Sequence, residues 1–188
     1  LVLFPVLGVA EIRAAAAPYA NPLIFLFLGG FIRAQSMQVW QLHRRIALGI
    51  VRRVGTDPYS ILGGFLIASA FLSMWVSNTA TAIMMLPIAS SVIAVLEPPQ
   101  REKLARPILL SVAWAANIGG MATLIGTPPN MIFAGFMSEQ FNRQIGFVEW
   151  LPVGLSASAL LGTIAYLILR RGLGKTDLSP SEEARTRS

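Results

Sequence analysis

Chemistry in this 188-residue chain is confined to two short polar clusters, Ser73 with Ser77-Asn78-Thr79, and Gly126-Thr127-Pro128-Pro129-Asn130. Both sit inside stretches without a charged residue, 58–96 and 107–138. The single histidine, His43, lies elsewhere among arginines, and the chain has no cysteine. Proton relays, general acid–base pairs and metal ligation by imidazole, thiolate or carboxylate therefore have no raw material here. What remains is hydroxyls (Ser73, Ser77, Thr79, Thr81, Thr123, Thr127), amides (Asn78, Asn117, Asn130) and backbone groups that a helix break sets free. Neutral oxygens at such a break suit a partly dehydrated monovalent cation such as Na⁺. Hydroxyl and amide donors at a helix N-terminus suit a carboxylate or another oxyanion. Ser73 and Ser77 are four residues apart, so they stack on one helical face that leads to Asn78 and Thr79. Scattered serines and threonines usually back-bond within a helix or glue helices together. Two compact clusters favour the ligand role.

The elements that must position these clusters are apolar and interrupted. In 58–96, two apolar arms, 61–76 and 80–96, flank the polar knot 77–79. Each arm is short for a span, which needs about 20 residues. Length leaves two full spans open. A re-entrant hairpin with its tip in a protein-lined cavity suits the uncharged tip better, because non-helical backbone at depth is tolerated only there. In the second stretch, 107–125 reads as a helix rich in Ala and Gly that suits close packing. Pro128 and Pro129 then remove two backbone donors, and the expected break covers 126–130 before an apolar run resumes at 131–137. Broken helices present carbonyls at one end and N–H groups at the next, as carriers do near the midplane.

Composition places these elements in a membrane. Hydrophobic residues make up 54% of the chain and charged residues 13%, with a mean hydropathy of +0.62. A soluble domain carries about 25% charged residues, so the composition argues against a soluble enzyme and favours a membrane protein. The net charge of +6 comes from residues gathered in islands without aromatic or polar readers beside them, which argues against a nucleic-acid partner. The expected fold is all-α and polytopic. Segment 1–40 supplies scaffold spans, the first of them (1–10) a stump whose beginning is absent, the second (22–40) carrying Arg33 close enough to its end to snorkel. Segment 41–57 has Leu42, Ile46, Ile50 and Val54 on one face and arginines on the others, a basic amphipathic helix on the membrane surface. A further span covers 147–171, and 176–188 is a polar, disordered tail. Basic residues of 41–57, 97–106 and 170–175 fall on one side of this layout, leaving Arg143 alone on the other. By the positive-inside rule the loops 41–57 and 97–106 and the tail 170–188 are cytoplasmic.

The motif Ser73-Met74-Trp75-Val76-Ser77-Asn78-Thr79-Ala80-Thr81, followed by Met84-Met85-Leu86-Pro87-Ile88, resembles the first Ser-Asn-Thr hairpin of the divalent anion:sodium symporters, the sodium-coupled dicarboxylate transporters. Thr123-Leu124-Ile125-Gly126-Thr127-Pro128-Pro129-Asn130 is similar to that family's unwound helix, and Leu26-Phe27-Leu28-Gly29-Gly30-Phe31 to its preceding span. The likeness runs from about residue 1 to 171. It implies one inverted-repeat half of an elevator-type carrier, a homodimer in its full-length form, that moves a succinate-like dicarboxylate with Na⁺ across the cell membrane among membrane lipids. Carried over residue by residue, it implies sodium ligands at Ser73, Ser77, Asn78, Gly126 and Thr127, and substrate contacts at Ser77, Asn78 and Thr79.

The chain departs from that family in holding one Ser-Asn-Thr motif and not two. It reads as the amino-terminal half, which supplies one sodium site and half of the substrate site and requires the second repeat half. Two alternatives stand beside this reading: a sodium-coupled carrier of sulfate, phosphate or another oxyanion, and a truncated membrane fragment that does not transport.

Overall fold

A computed structural model describes residues 3–9, 11–16, 19, 22–40, 45, 49 and 57–174. The elements among these residues are helices: α1 (Leu3–Val6), α2 (Ile12–Ala16), α3 (Pro22–Val39), α4 (Pro58–Ser73), α5 (Asn78–Val95), α6 (Pro98–Ala122), α7 (Pro128–Phe141) and α8 (Phe147–Gly174). Three helices among the described residues, α5, α6 and α8, are long and apolar enough to cross a membrane, and α4 is a shorter apolar helix. The protein is all-α and polytopic. The surface helix expected over 41–57 and the tail over 176–188 lie, apart from isolated positions, outside the described residues.

Proline marks where helices begin. Pro22, Pro58, Pro98 and Pro128 each stand at the first position of a helix, where the missing N–H has no intrahelical partner to lose and φ is already set. At α4 the start is reinforced by Asp57, whose carboxylate accepts from the N–H groups of Tyr59 (3.1 Å) and Ser60 (3.3 Å). At α5 the N-cap is Ser77, whose Oγ accepts from the N–H of Ala80 at 3.3 Å.

This use of proline moves two boundaries. The charged island 97–106 is not a loop: α6 starts at Pro98, takes Arg101, Lys103 and Arg106 into its first turns, and accommodates Pro107 internally. The second break does not cover 126–130. It falls at 123–127, because Pro128 and Pro129 open α7 rather than interrupt a helix. Thr127, the residue ahead of Pro128, is extended (φ −147°, ψ 143°), as the steric clash with a following proline ring requires.

Helix α6 is the centre of the bundle. It packs against α4, α8 and α5, and α4 also meets α5 and α8. Phe65 and Leu72 from α4, Met85 and Ile88 from α5, and Leu104, Ile108 and Val112 from α6 form the main buried cluster. A second cluster joins Leu66, Ala115 and Ala165, and a third joins Leu124, Met131 and Ala134 beneath Trp150. The α4–α6 crossing is close because Gly119 is bare: a Cβ there would meet the backbone of Ala70. Small residues in the second half of α6 thus do what their composition suggested, which is to bring backbones together.

Candidate functional site

The two interruptions lie side by side. Helix α4 runs 16 residues from Pro58 to its end at Ser73, and the uncharged part of α6, 107–122, is of the same length. Each spans about 24 Å at 1.5 Å per residue. Their ends therefore arrive side by side, and a hydrogen bond joins them: Thr123 Oγ1 donates to the carbonyl of Met74 at 2.6 Å.

Ser73 is the most enclosed member of the site, fully buried at the end of α4. Its hydroxyl lies 3.0 Å from Asn78 Oδ1 and also contacts the carbonyl of Ala116 on α6. Asn78 is half-buried at the first position of α5. Its Nδ2 donates to Asn117 Oδ1 at 3.1 Å, and Asn117 Nδ2 donates to the carbonyl of Ala113 at 2.9 Å. That chain of amides fixes which end of Asn78 faces which way: nitrogen toward Asn117, oxygen toward Ser73. Gly120 makes the room, since a Cβ at that position would strike Asn78 Oδ1.

Gly126 is buried in the second break. A Cβ on it would stand 3.0 Å from the carbonyl oxygen of Ser73 and 2.5 Å from that of Gly120, so the turn at Gly126 abuts oxygens of both broken helices. Thr127, half-buried, takes the N-cap position of α7. Ser73, Asn78 and Gly126 thus converge. Ser77 and Thr79 are exposed beside Asn78; the Ser77 oxygen already serves α5 as its cap.

The two helix starts at the site differ in what they offer an anion. At α5 the first two positions are Asn78 and Thr79, both with N–H groups; at α7 they are Pro128 and Pro129, with none. Partial positive charge at a helix N-terminus acts through those N–H groups, so α5 offers donors at its first two positions that α7 lacks. The ends of α4 and α6 supply carbonyl oxygens beside the Asn78 amide oxygen. These are neutral hard oxygens, the donor type that suits an alkali cation. Among the described residues no group of three or more His, Cys, Asp or Glu could hold a metal ion.

Reading by residue type did not single out Asn117 and Asn130 within the cluster of amides. Asn130 is buried, and its Nδ2 donates to the carbonyls of Gly120 (2.9 Å) and Thr123 (2.8 Å). Its place in the Pro-Pro-Asn run was the available signal. The backbone acceptors at Ala116, Gly120 and Met74 leave no trace in residue types. Two further hydroxyls, Ser69 Oγ and Thr81 Oγ1, are buried without a hydrogen-bond partner; they stand one turn before Ser73 and three residues after Asn78.

An apolar helical bundle whose two helix breaks meet on hydroxyls, amides and carbonyls is the architecture of a membrane carrier. The chain belongs to the citrate transporter family (CitMHS), which matches residues 1–185. It is 39% identical over 186 residues to the sodium-dependent dicarboxylate transporter SdcS of Staphylococcus saprophyticus, an alignment that covers 95% of this chain and 36% of that protein. The sodium-dependent dicarboxylate transporter SdcS of Staphylococcus aureus strain NCTC 8325 is 38% identical over the same coverage. The chain therefore spans about a third of the length of these relatives. Family membership places it among transporters and not among enzymes.

Proposed function

We propose that the protein takes part in sodium-coupled symport of a succinate-like dicarboxylate across the cell membrane, and that this chain supplies one sodium site and half of the substrate site. The observation that carries this reading is the meeting of the two breaks, where Ser73, Asn78 and Gly126 crowd neutral oxygens together. Sodium is a co-substrate here, held by oxygens of Ser73, Ser77, Asn78, Gly126 and Thr127. One carboxylate of the substrate lies at the start of α5, against Ser77, Asn78 and Thr79. Asn78 then belongs to both sites, so sodium bound at its oxygen also orders the start of α5 for the anion. That shared residue is the physical basis of coupling. The relatives' names, sodium-dependent dicarboxylate transporter, support the same pair of solutes.

The further arrangement follows from the same reading. Residues 58–96 form a re-entrant hairpin opening to the cytoplasmic side, with 97–106 and 170–188 on that side. A second repeat half completes the substrate site, and the full-length form is an elevator-type homodimer.

The test is uptake of labelled succinate into proteoliposomes holding the full-length protein. Asn78→Ala is expected to abolish the sodium-dependent component while the folded amount stays unchanged. Unaltered uptake would remove Asn78 from the site. Unlabelled citrate, succinate and sulfate as competitors rank the anions, because the family is described by citrate and the relatives by dicarboxylates. Sulfate competing as well as succinate would return the general oxyanion reading.

A further inference from the structure

The end of α6 is held by side chains from other helices. Carbonyls of its last two turns accept from them: Ser73 reaches Ala116, Ser158 reaches Ile118 (2.9 Å) and Trp150 reaches Met121 (3.0 Å), the last of these in the final turn, where carbonyls lack intrahelical donors. Asn130 does something different. It lies in the first turn of α7, across the break, and its one amide nitrogen binds the carbonyls of Gly120 in α6 at 2.9 Å and of Thr123 in the break at 2.8 Å. An amide NH₂ has two donor hydrogens, so both are used. The side chain is buried, at 7% exposure, and water does not readily replace it.

These bonds set the geometry of the ion cage without joining it. Thr123, held at its carbonyl by Asn130, donates its own hydroxyl to Met74 in the other break. Gly120, held likewise, has its carbonyl against Gly126 and its bare Cα against Asn78 Oδ1. Asn130 therefore controls the spacing between the wall that carries Ser73 and Asn78 and the wall that carries Gly126.

We infer that Asn130 is a positioning residue for sodium: it fixes the oxygens of the cage at a separation that distinguishes Na⁺ from Li⁺. This rests on the sodium site proposed above. Without the two donors, the Gly120 and Thr123 carbonyls must seek other positive charge, the cage loosens, and it accommodates either cation. Loss of a group that orients ligands costs on the order of tenfold in ion affinity.

Asn130→Leu keeps the approximate shape and removes both donors; Asn130→Gln keeps both donors on a longer arm. The full-length protein is reconstituted, and uptake is measured against Na⁺ and against Li⁺. In parallel, the cation dependence of its melting in detergent is recorded, which needs no transport. For Asn130→Leu the half-saturating Na⁺ is expected to rise about tenfold and the Na⁺/Li⁺ preference to fall toward unity, with succinate half-saturation at saturating Na⁺ unchanged. Asn130→Gln is expected to lie between this variant and the parent. A parent-like Na⁺ half-saturation overturns the inference. So does a variant that lowers only folded yield or cation-free melting while the Na⁺/Li⁺ preference stays intact. Should Asn130→Leu not fold, an unaltered preference in Asn130→Gln and in Thr123→Val has the same force. A parent protein whose uptake and melting ignore Na⁺ would overturn the sodium site itself, an outcome separate from the others.

Discussion

At the scale of single residues, Ser73 makes the sharpest commitment. A hydroxyl has one hydrogen, yet the Ser73 oxygen lies at hydrogen-bond distance from two acceptors, Asn78 Oδ1 and the Ala116 carbonyl. A cation drawn to Asn78 Oδ1 and the Ser73 lone pairs repels that hydrogen toward Ala116, which frees the amide oxygen for the ion. Ion binding then costs no orphaned acceptor. Ser73→Ala removes a proposed ligand and leaves the half-buried Asn78 Oδ1 without its hydroxyl donor, a loss of about 1–3 kcal/mol. The expected outcome is a lower melting temperature together with loss of Na⁺-induced stabilisation. Ser69, one turn earlier and equally buried, has no partner to lose. Ser69→Ala should leave melting unchanged or raise it, and should leave the Na⁺ response intact. If both serines behaved alike, the assignment of Ser73 as a ligand would fail.

At the scale of elements, helix starts and the α4–α6 crossing decide the architecture. Gly119 is one position where helix contact has no slack: an added Cβ meets the carbonyl and Cα of Ala70, and backbone cannot step aside as a flexible side chain does. Gly119→Ala is therefore expected to destabilise by about 1–3 kcal/mol. Gly172→Ala, in α8 with nothing within 4 Å of the added atom, should be neutral or stabilise by up to about 1 kcal/mol. Thermal unfolding in detergent checks both, and equal effects would count against a close α4–α6 crossing. The interrupted helices, their small-residue packing face and both polar clusters were legible in the sequence, because uncharged length and residue type record them directly. The exact break was not. Pro128 and Pro129 read as interruptions, whereas a proline at the first turn of a helix starts it, which moved the unwound segment to 123–127. The island 97–106 was read as a loop for the same reason, since Pro98 and Pro99 open α6 beneath the charges. Asn117 and Asn130 escaped notice as positioning groups because their acceptors include backbone carbonyls, which are the same at every residue.

At the scale of the molecule, the question is whether α4 and α5 turn inside the membrane or cross it. Helix α4 has 16 residues, about 24 Å long, against a hydrocarbon layer of about 30 Å. Its end meets the break in α6, as the bond from Thr123 to Met74 requires. If α4 reached the far face, that break would reach it too, and α7, another 14 residues, would run on into water. Yet α7 exposes Ile132, Phe133 and Phe136, a surface for lipid or for the rest of the protein rather than for water. These exposed side chains support the proposed placement of the tip within the layer. With no cysteine in the chain, single substitutions read this out without background. In the full-length protein on a cysteine-free background, an impermeant maleimide should label Glu102→Cys only from the cytoplasmic side and Arg143→Cys only from outside. Ala80→Cys, just past the tip, should react from outside far more slowly than Arg143→Cys, and more slowly still with Na⁺ and succinate present. Rapid labelling of Ala80→Cys from outside, unaffected by either solute, would mean two full spans. It would take the hairpin, and the buried meeting of the two breaks, out of the reading.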